Sequence, residues 1–129
     1  MNADGSDVTQ ITSGLGNDLW PDLSPNGRYV AFASNRSGNT EIYVLDLRDG
    51  TLTNVSNSTA DDSWPRWSPN GREIAFHSNR TGNYDIFVVN ADGSGLRAVT
   101  TDAALDQWPE WSPNGKRLAF RRGNDVYVA

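Results

Sequence analysis

Trp20-Pro21-Asp22-Leu23-Ser24-Pro25-Asn26-Gly27 returns as Trp64-Pro65-Arg66-Trp67-Ser68-Pro69-Asn70-Gly71, and again as Trp108-Pro109-Glu110-Trp111-Ser112-Pro113-Asn114-Gly115. The spacing is 44 residues both times. A fixed period of this size marks a repeat architecture, in which each unit buries its apolar faces only by stacking on its neighbours. Three such units account for the whole chain of 129 residues.

The middle unit is the most complete. Ser63-Trp64-Pro65-Arg66-Trp67 is a short aromatic-rich run closed by Ser68-Pro69-Asn70-Gly71. Proline presets φ there, and Asn-Gly tolerates positive φ, so the segment is a turn. Glu73-Ile74-Ala75-Phe76-His77-Ser78 is rich in strand formers and is followed by a second turn, Asn79-Arg80-Thr81-Gly82-Asn83. Tyr84-Asp85-Ile86-Phe87-Val88-Val89 predicts a third strand, and Asn90-Ala91-Asp92-Gly93-Ser94-Gly95 a third turn. Leu96-Arg97-Ala98-Val99-Thr100 predicts a fourth, more polar strand. Four short strands with tight turns and no helical period make an antiparallel meander. The second and third strands are apolar on both faces, so both must be covered. Meanders packed face to face around an axis achieve this, and the predicted fold is all-β: a β-propeller of four-stranded antiparallel blades.

The remaining composition narrows the function. Net charge is -5 and no cysteine is present, which excludes a disulfide framework and removes the basic footprint of a nucleic-acid binder. No apolar run reaches the length of a membrane-spanning helix, so no membrane insertion is expected. There is one histidine, His77, whose repeat position holds Ala33 and Arg121 in the other units, so it reads as a satisfied structural group. Neither a nucleophile elbow nor a Gly-rich phosphate loop is found, and the Asp-Gly turns lack calcium-loop spacing. No catalytic residue, metal or cofactor is expected.

The middle unit's Trp67-Ser68-Pro69-Asn70-Gly71, Ile74-Ala75-Phe76, Ser78-Asn79-Arg80, Asp85-Ile86-Phe87-Val88 and Asn90-Ala91-Asp92-Gly93 resemble the WD40-like repeat of the TolB type. The resemblance covers all three units. It implies a six-bladed propeller, a role in protein–protein interaction in the cell envelope, and a periplasmic or extracytoplasmic location. Propellers attached to peptidases share the motif. The N-terminal α/β domain of TolB itself has no counterpart here. The start, Met1-Asn2-Ala3-Asp4-Gly5, lacks the pattern of a secretory leader and falls late in a repeat, as in a segment excised or engineered from a longer array.

The two ends are complementary. Residues 2–12 align with residues 90–100, so the chain opens on an outer fourth strand. It closes on the third strand Asp125-Val126-Tyr127-Val128 with no fourth. The expected division is residues 1–12 as the closing strand, 13–56 as blade one, 57–100 as blade two and 101–129 as blade three. Three blades are too few to close a ring. Two copies give six, with residues 8–12 of each completing the last blade of the other, so Val8, Ile11, Val126 and Val128 are the expected interface residues.

Six residues are candidates for a ligand site at the channel mouth: Asp18, Trp20, Asp62, Trp64, Asp106 and Trp108. They stand at the entrance of each innermost strand, the strand that lines a propeller's channel. One reading is a cation or polar-ligand site, or a surface for a protein or peptide. The other is that Asp caps the loop and Trp packs between blades. Trp67 and Trp111 are expected in the inter-blade core, with Leu23 at the same position. Arg36 and Arg80 are expected to bridge to a neighbouring blade's Asp or to a backbone carbonyl. The third unit is four residues shorter at this hairpin and lacks the Ser-Asn-Arg element. The functional readings are a non-catalytic scaffold that self-associates, a half-propeller whose only activity is assembly, or the accessory propeller of a hydrolase.

Overall fold

A computed structural model describes residues 4–129, all β among them. Strands β1 (Asp18–Leu23), β2 (Tyr29–Ser34), β3 (Glu41–Asp46) and β4 (Leu52–Asn54) form the first antiparallel sheet, in that order. The second contains β5 (Asp62–Trp67), β6 (Glu73–Ser78), β7 (Asp85–Asn90) and β8 (Arg97–Ala98). The third contains β9 (Asp106–Trp111), β10 (Leu118–Arg122) and β11 (Asp125–Val128), and stops at three strands. The first strand β5 lies against both β1 and β9, so the three blades fan out from a shared inner side.

The repeated Ser-Pro-Asn-Gly explains the sharp return between each blade's first two strands. The Ser24 hydroxyl donates to Asn26 Oδ1 at 2.7 Å and accepts from the Tyr29 N–H at 2.9 Å. The Ser24 carbonyl accepts from the Gly27 N–H at 2.8 Å, and Gly27 holds φ of +70°. A residue with a Cβ is strained at that φ. Ser68 and Ser112 make the same set.

The core lies between the sheets. Ala31, Ala33, Ile42 and Val44 of blade one face Trp67, Ile74, Phe76, Phe87 and Val89 of blade two. The other face of blade two, Ala75, Ile86 and Val88, meets Leu118 and Phe120 of blade three, with Trp111 and Val99 packed alongside. Blade one's other face, Val30, Phe32, Tyr43 and Leu45, forms a separate cluster with no blade of the described residues against it.

Two expectations change. Trp67 is buried at 6 % exposure as the inter-blade reading requires, but Leu23 at the same position is 56 % exposed, because no other sheet among the described residues covers it. The fourth strand of blade two is Arg97–Ala98, shorter than residues 96–100, because the Ile86 N–H leaves the ladder and donates to the Thr100 hydroxyl at 2.9 Å. Residues 8–12 form no strand within one chain, and Val8, Ile11, Val126 and Val128 are all exposed. The first three residues of the expected closing segment fall outside the described residues.

Candidate functional site: an indole row on the inner strands

Trp20, Trp64 and Trp108 depart from strand geometry in the same way. Their φ angles are +52°, +59° and +56°. Each sits where the pairing of its strand with the next slips, between Leu19 and Asp22, between Ser63 and Arg66, and opposite the step from Ala119 to Arg121. A β-bulge of this kind bends the strand and re-aims a side chain. Holding a bulky residue at positive φ costs about 1–3 kcal/mol. The following Pro21, Pro65 and Pro109 have no N–H to lose at the slip.

The bulges bring the indoles into a row. Ring centroids of Trp20 and Trp64 are 5.5 Å apart, and those of Trp64 and Trp108 are 6.0 Å apart, both pairs tilted. Trp20 and Trp108 are exposed and Trp64 is half-buried. The Arg66 guanidinium lies over the Trp64 ring at 5.4 Å, and that of Arg121 over Trp108 at 4.6 Å.

The three carboxylates, two residues before the indoles in sequence, pair within their own blades. Arg36 donates to Asp18 at 2.8 and 3.0 Å, and Arg80 to Asp62 at 2.9 Å. The expectation of a neighbouring blade is corrected here: β1 pairs with β2, so Asp18 stands opposite Ser34, at the foot of the turn that carries Arg36. Each guanidinium also lies over an aromatic pair of its own blade: Arg36 over Phe32 and Tyr43, Arg80 over Phe76 and Phe87. Blade three lacks Ser-Asn-Arg, yet Arg122 at the end of β10 takes the same place. It donates to Asp106 at 2.7 Å through two nitrogens and lies over Phe120 and Tyr127.

The equivalent carboxylates differ in acidity. Burial pushes the Asp62 carboxyl above the usual range, against the hydrogen bonds of Ser78 and the charge of Arg80. Burial acts on Asp18 too, but hydrogen bonds from Ser34, Arg36 and Thr12 outweigh it and hold that carboxyl below the usual range.

One feature of the inner strands was not anticipated. Asp22, Arg66 and Glu110 share one repeat position. Arg66 pairs with Glu110 across adjacent blades at 3.0 Å, and Asp22 accepts from the Trp67 N–H at 2.6 Å. The signal was present: this is the one place before the Ser-Pro-Asn-Gly turn where all three copies carry a charge and the sign changes. His77, on β6, is a buried and hydrogen-bonded structural group, as expected. Its Nδ1 accepts from the N–H of Trp108 at 3.3 Å, its ring stands edge-on to Tyr84, and burial lowers its pKa to about 4.

Comparison with known proteins settles the lineage. Residues 1–128 match the TolB beta propeller domain. The chain belongs to that family. A TolB homolog of Chlorobium luteolum is 42% identical over 50 residues, which is 39% of this chain and 12% of that protein. The structure of putative TolB from Agrobacterium tumefaciens superposes with a TM-score of 0.82 at 30% identity, over 92% of this chain and 46% of that one. TolB from Acinetobacter baumannii gives 0.78 at 29% identity, over 92% of this chain and 31% of that one. A puromycin-hydrolyzing peptidase of Mycobacterium tuberculosis shares the fold at 19% identity and a TM-score of 0.76, over 97% of this chain and 22% of that one. The TolB-type chain thus spans less than half the length of each of these relatives.

Proposed function

We propose that this TolB-type chain is a non-catalytic binding and scaffold module that joins a second copy in a six-bladed ring. The observation that carries this reading is the match between its two unpaired faces. Blade three turns Ala119, Arg121, Val126 and Val128 outward, at the positions of Ala31, Ala33, Ile42 and Val44. Those residues of blade one already dock on blade two. Blade one's unpartnered cluster of Val30, Phe32, Tyr43 and Leu45 repeats the positions of Ile74, Phe76, Phe87 and Val89, the surface they dock on. A seam that exists twice inside the chain is therefore available once more between chains. Such a head-to-tail contact closes when the rotation completes a turn, and two copies with six blades fall within the known propeller range.

The non-catalytic part rests on how the reactive side chains are used. His77 is buried with Nδ1 accepting a backbone N–H, and Asp62 and Asp106 are fully buried in ion pairs. The ligand surface is the indole row of Trp20, Trp64 and Trp108, on strands whose Asp18, Asp62 and Asp106 are held in ion pairs. Exposed indoles beside Arg66 and Arg121 suit a protein or peptide partner, since aromatic and Arg side chains dominate binding hot spots.

Removal of residues 1–12 tests the assembly. Light scattering of the truncated protein is expected to show single chains or aggregates, because the edge of β11 is then uncovered. An unchanged mass and melting temperature would overturn the reading.

A further inference from the structure

Blades one and two fasten their outer edges with the same device. In blade one, the Ser56 hydroxyl accepts from the Ile42 N–H at 2.9 Å and donates to the Glu41 carboxylate at 2.9 Å. The Val55 N–H donates to the Ile42 carbonyl at 2.9 Å. In blade two, the Thr100 hydroxyl accepts from the Ile86 N–H at 2.9 Å and donates to Asp85 at 3.3 Å. The Val99 N–H donates to the Ile86 carbonyl at 2.7 Å. Ser56, Glu41, Thr100 and Asp85 are all buried. A carboxylate taken out of water needs donors around it, so the hydroxyl is a required part of the edge.

Blade three holds one half of this device. Asp125 and Val126 occupy the places of Asp85 and Ile86, but β11 is the last strand of its sheet. The other half stands at the far end of the chain. Ile11 and Thr12 precede Val55 and Ser56 by 44 residues, and lie outside every sheet. They border an apolar groove with Leu19, Pro21, Val30 and Phe32 on blade one's unpaired face. Thr12 already stands beside Asp18, as Ser56 stands beside Asp62.

We infer that Thr12 of one copy is the latch that captures Asp125 and Val126 of a second copy of this chain. Its hydroxyl accepts the Val126 N–H and donates to the Asp125 carboxylate, and the Ile11 N–H donates to the Val126 carbonyl. The register follows from the pairs Tyr43↔Asn54 and Val44↔Thr53 in blade one, and Phe87↔Ala98 and Val88↔Arg97 in blade two. It sets Tyr127 opposite Gln10 and Val128 opposite Thr9. The inference rests on the two-copy ring and adds the side chain and register by which the copies recognise each other.

The seam between copies depends on this latch more than the internal seams do. Asn39 Nδ2 donates to the carbonyls of Ser58 and Ala60 at 3.0 and 2.6 Å, and Asn83 Nδ2 to those of Asp102 and Ala104 at 3.0 and 2.5 Å. The shorter third hairpin has Gly123 at that position, which has no side chain to make this clamp.

The chain has no cysteine, so an introduced pair reports alone. The full chain carrying Gln10→Cys and Tyr127→Cys is oxidised and run on a non-reducing gel, beside Gln10→Cys with Val126→Cys. The first pair is expected to give a two-chain band and the second none, since neighbouring residues of a strand point to opposite faces and a disulfide needs Cβ atoms that face each other. In parallel, Thr12→Val is expected to raise the dissociation constant of the dimer about a hundredfold, because each dimer holds the latch twice. Thr12→Ser is expected to stay within a few-fold of the parent, since serine does this work in blade one. Circular dichroism checks that both variants keep the parent fold. A two-chain mass with cross-linking only in the shifted register, or with Thr12→Val binding as tightly as the parent, overturns the latch and leaves the ring standing. A one-chain mass for the parent overturns both.

Discussion

Blade two is covered on both faces, whereas blade one is covered on one, and the same repeat position behaves differently in each. Trp67 is 6 % exposed against blade one; Leu23 is 56 % exposed. Asp62 is pushed above the usual carboxylate range by burial, while Asp18 is held below it by its hydrogen bonds. The local sequence is nearly the same in both blades. What differs is the neighbour, so core membership in this chain belongs to the seam and not to the unit.

The largest break in that comparison comes from the seam itself. Trp67→Ala is expected to cost about 3–5 kcal/mol in urea unfolding, the usual loss for emptying a buried aromatic site. A loss below about 1 kcal/mol would mean that the seam between blades one and two is not a core.

The ion pairs come next. Arg80→Met leaves a fully buried Asp62 without its partner and is expected to cost about 3 kcal/mol. Arg36→Met acts on the more accessible Asp18 and is expected to cost about 1 kcal/mol. Equal losses would show that the second covered face adds nothing to the pair.

His77 makes the seam between blades two and three sensitive to acid. Its folded pKa of about 4 lies below the unfolded value of 6.5, so the folded state binds fewer protons between these values. The stability is complete above pH 6.5 and is lost as pH falls toward 4, by about 3 kcal/mol. His77→Ala, which installs the residue of blade one, is expected to remove that slope. Unfolding free energies at pH 7 and pH 4 for the two proteins give the difference, and equal slopes would refute the assignment.

The smallest effect on the fold is expected from Leu23→Ala, below about 0.5 kcal/mol for a single chain, as for an exposed position. The same substitution is expected to weaken the dimer at least tenfold, because in the proposed ring a second copy covers this side chain. A dimer unaffected by it would place the contact elsewhere.

The repeat, the strand pattern and the hairpin turns were legible because each depends on neighbours in sequence: Ser24 closes on Asn26 and Tyr29 within a few residues. What crosses between strands was read less well. Nothing local says that Arg36 returns to the Asp that opens its own blade, since that follows from the pairing of β1 with β2. Arg122 was missed because a pair equivalent in space arises from a hairpin four residues shorter. The turn of Trp20, Trp64 and Trp108 to positive φ was hidden by the strand-like run around them. The slip that imposes it appears only when the second strand is laid alongside.

The central claim is that a face used twice inside the chain is used a third time between chains. Sedimentation equilibrium of the intact protein at micromolar concentration tests it most directly. The account predicts one species at twice the 14.1 kDa of a single chain, held on dilution and with no open-ended series above it. A single-chain mass across that range would contradict it, and a mass of three chains would replace the twofold ring with a larger one.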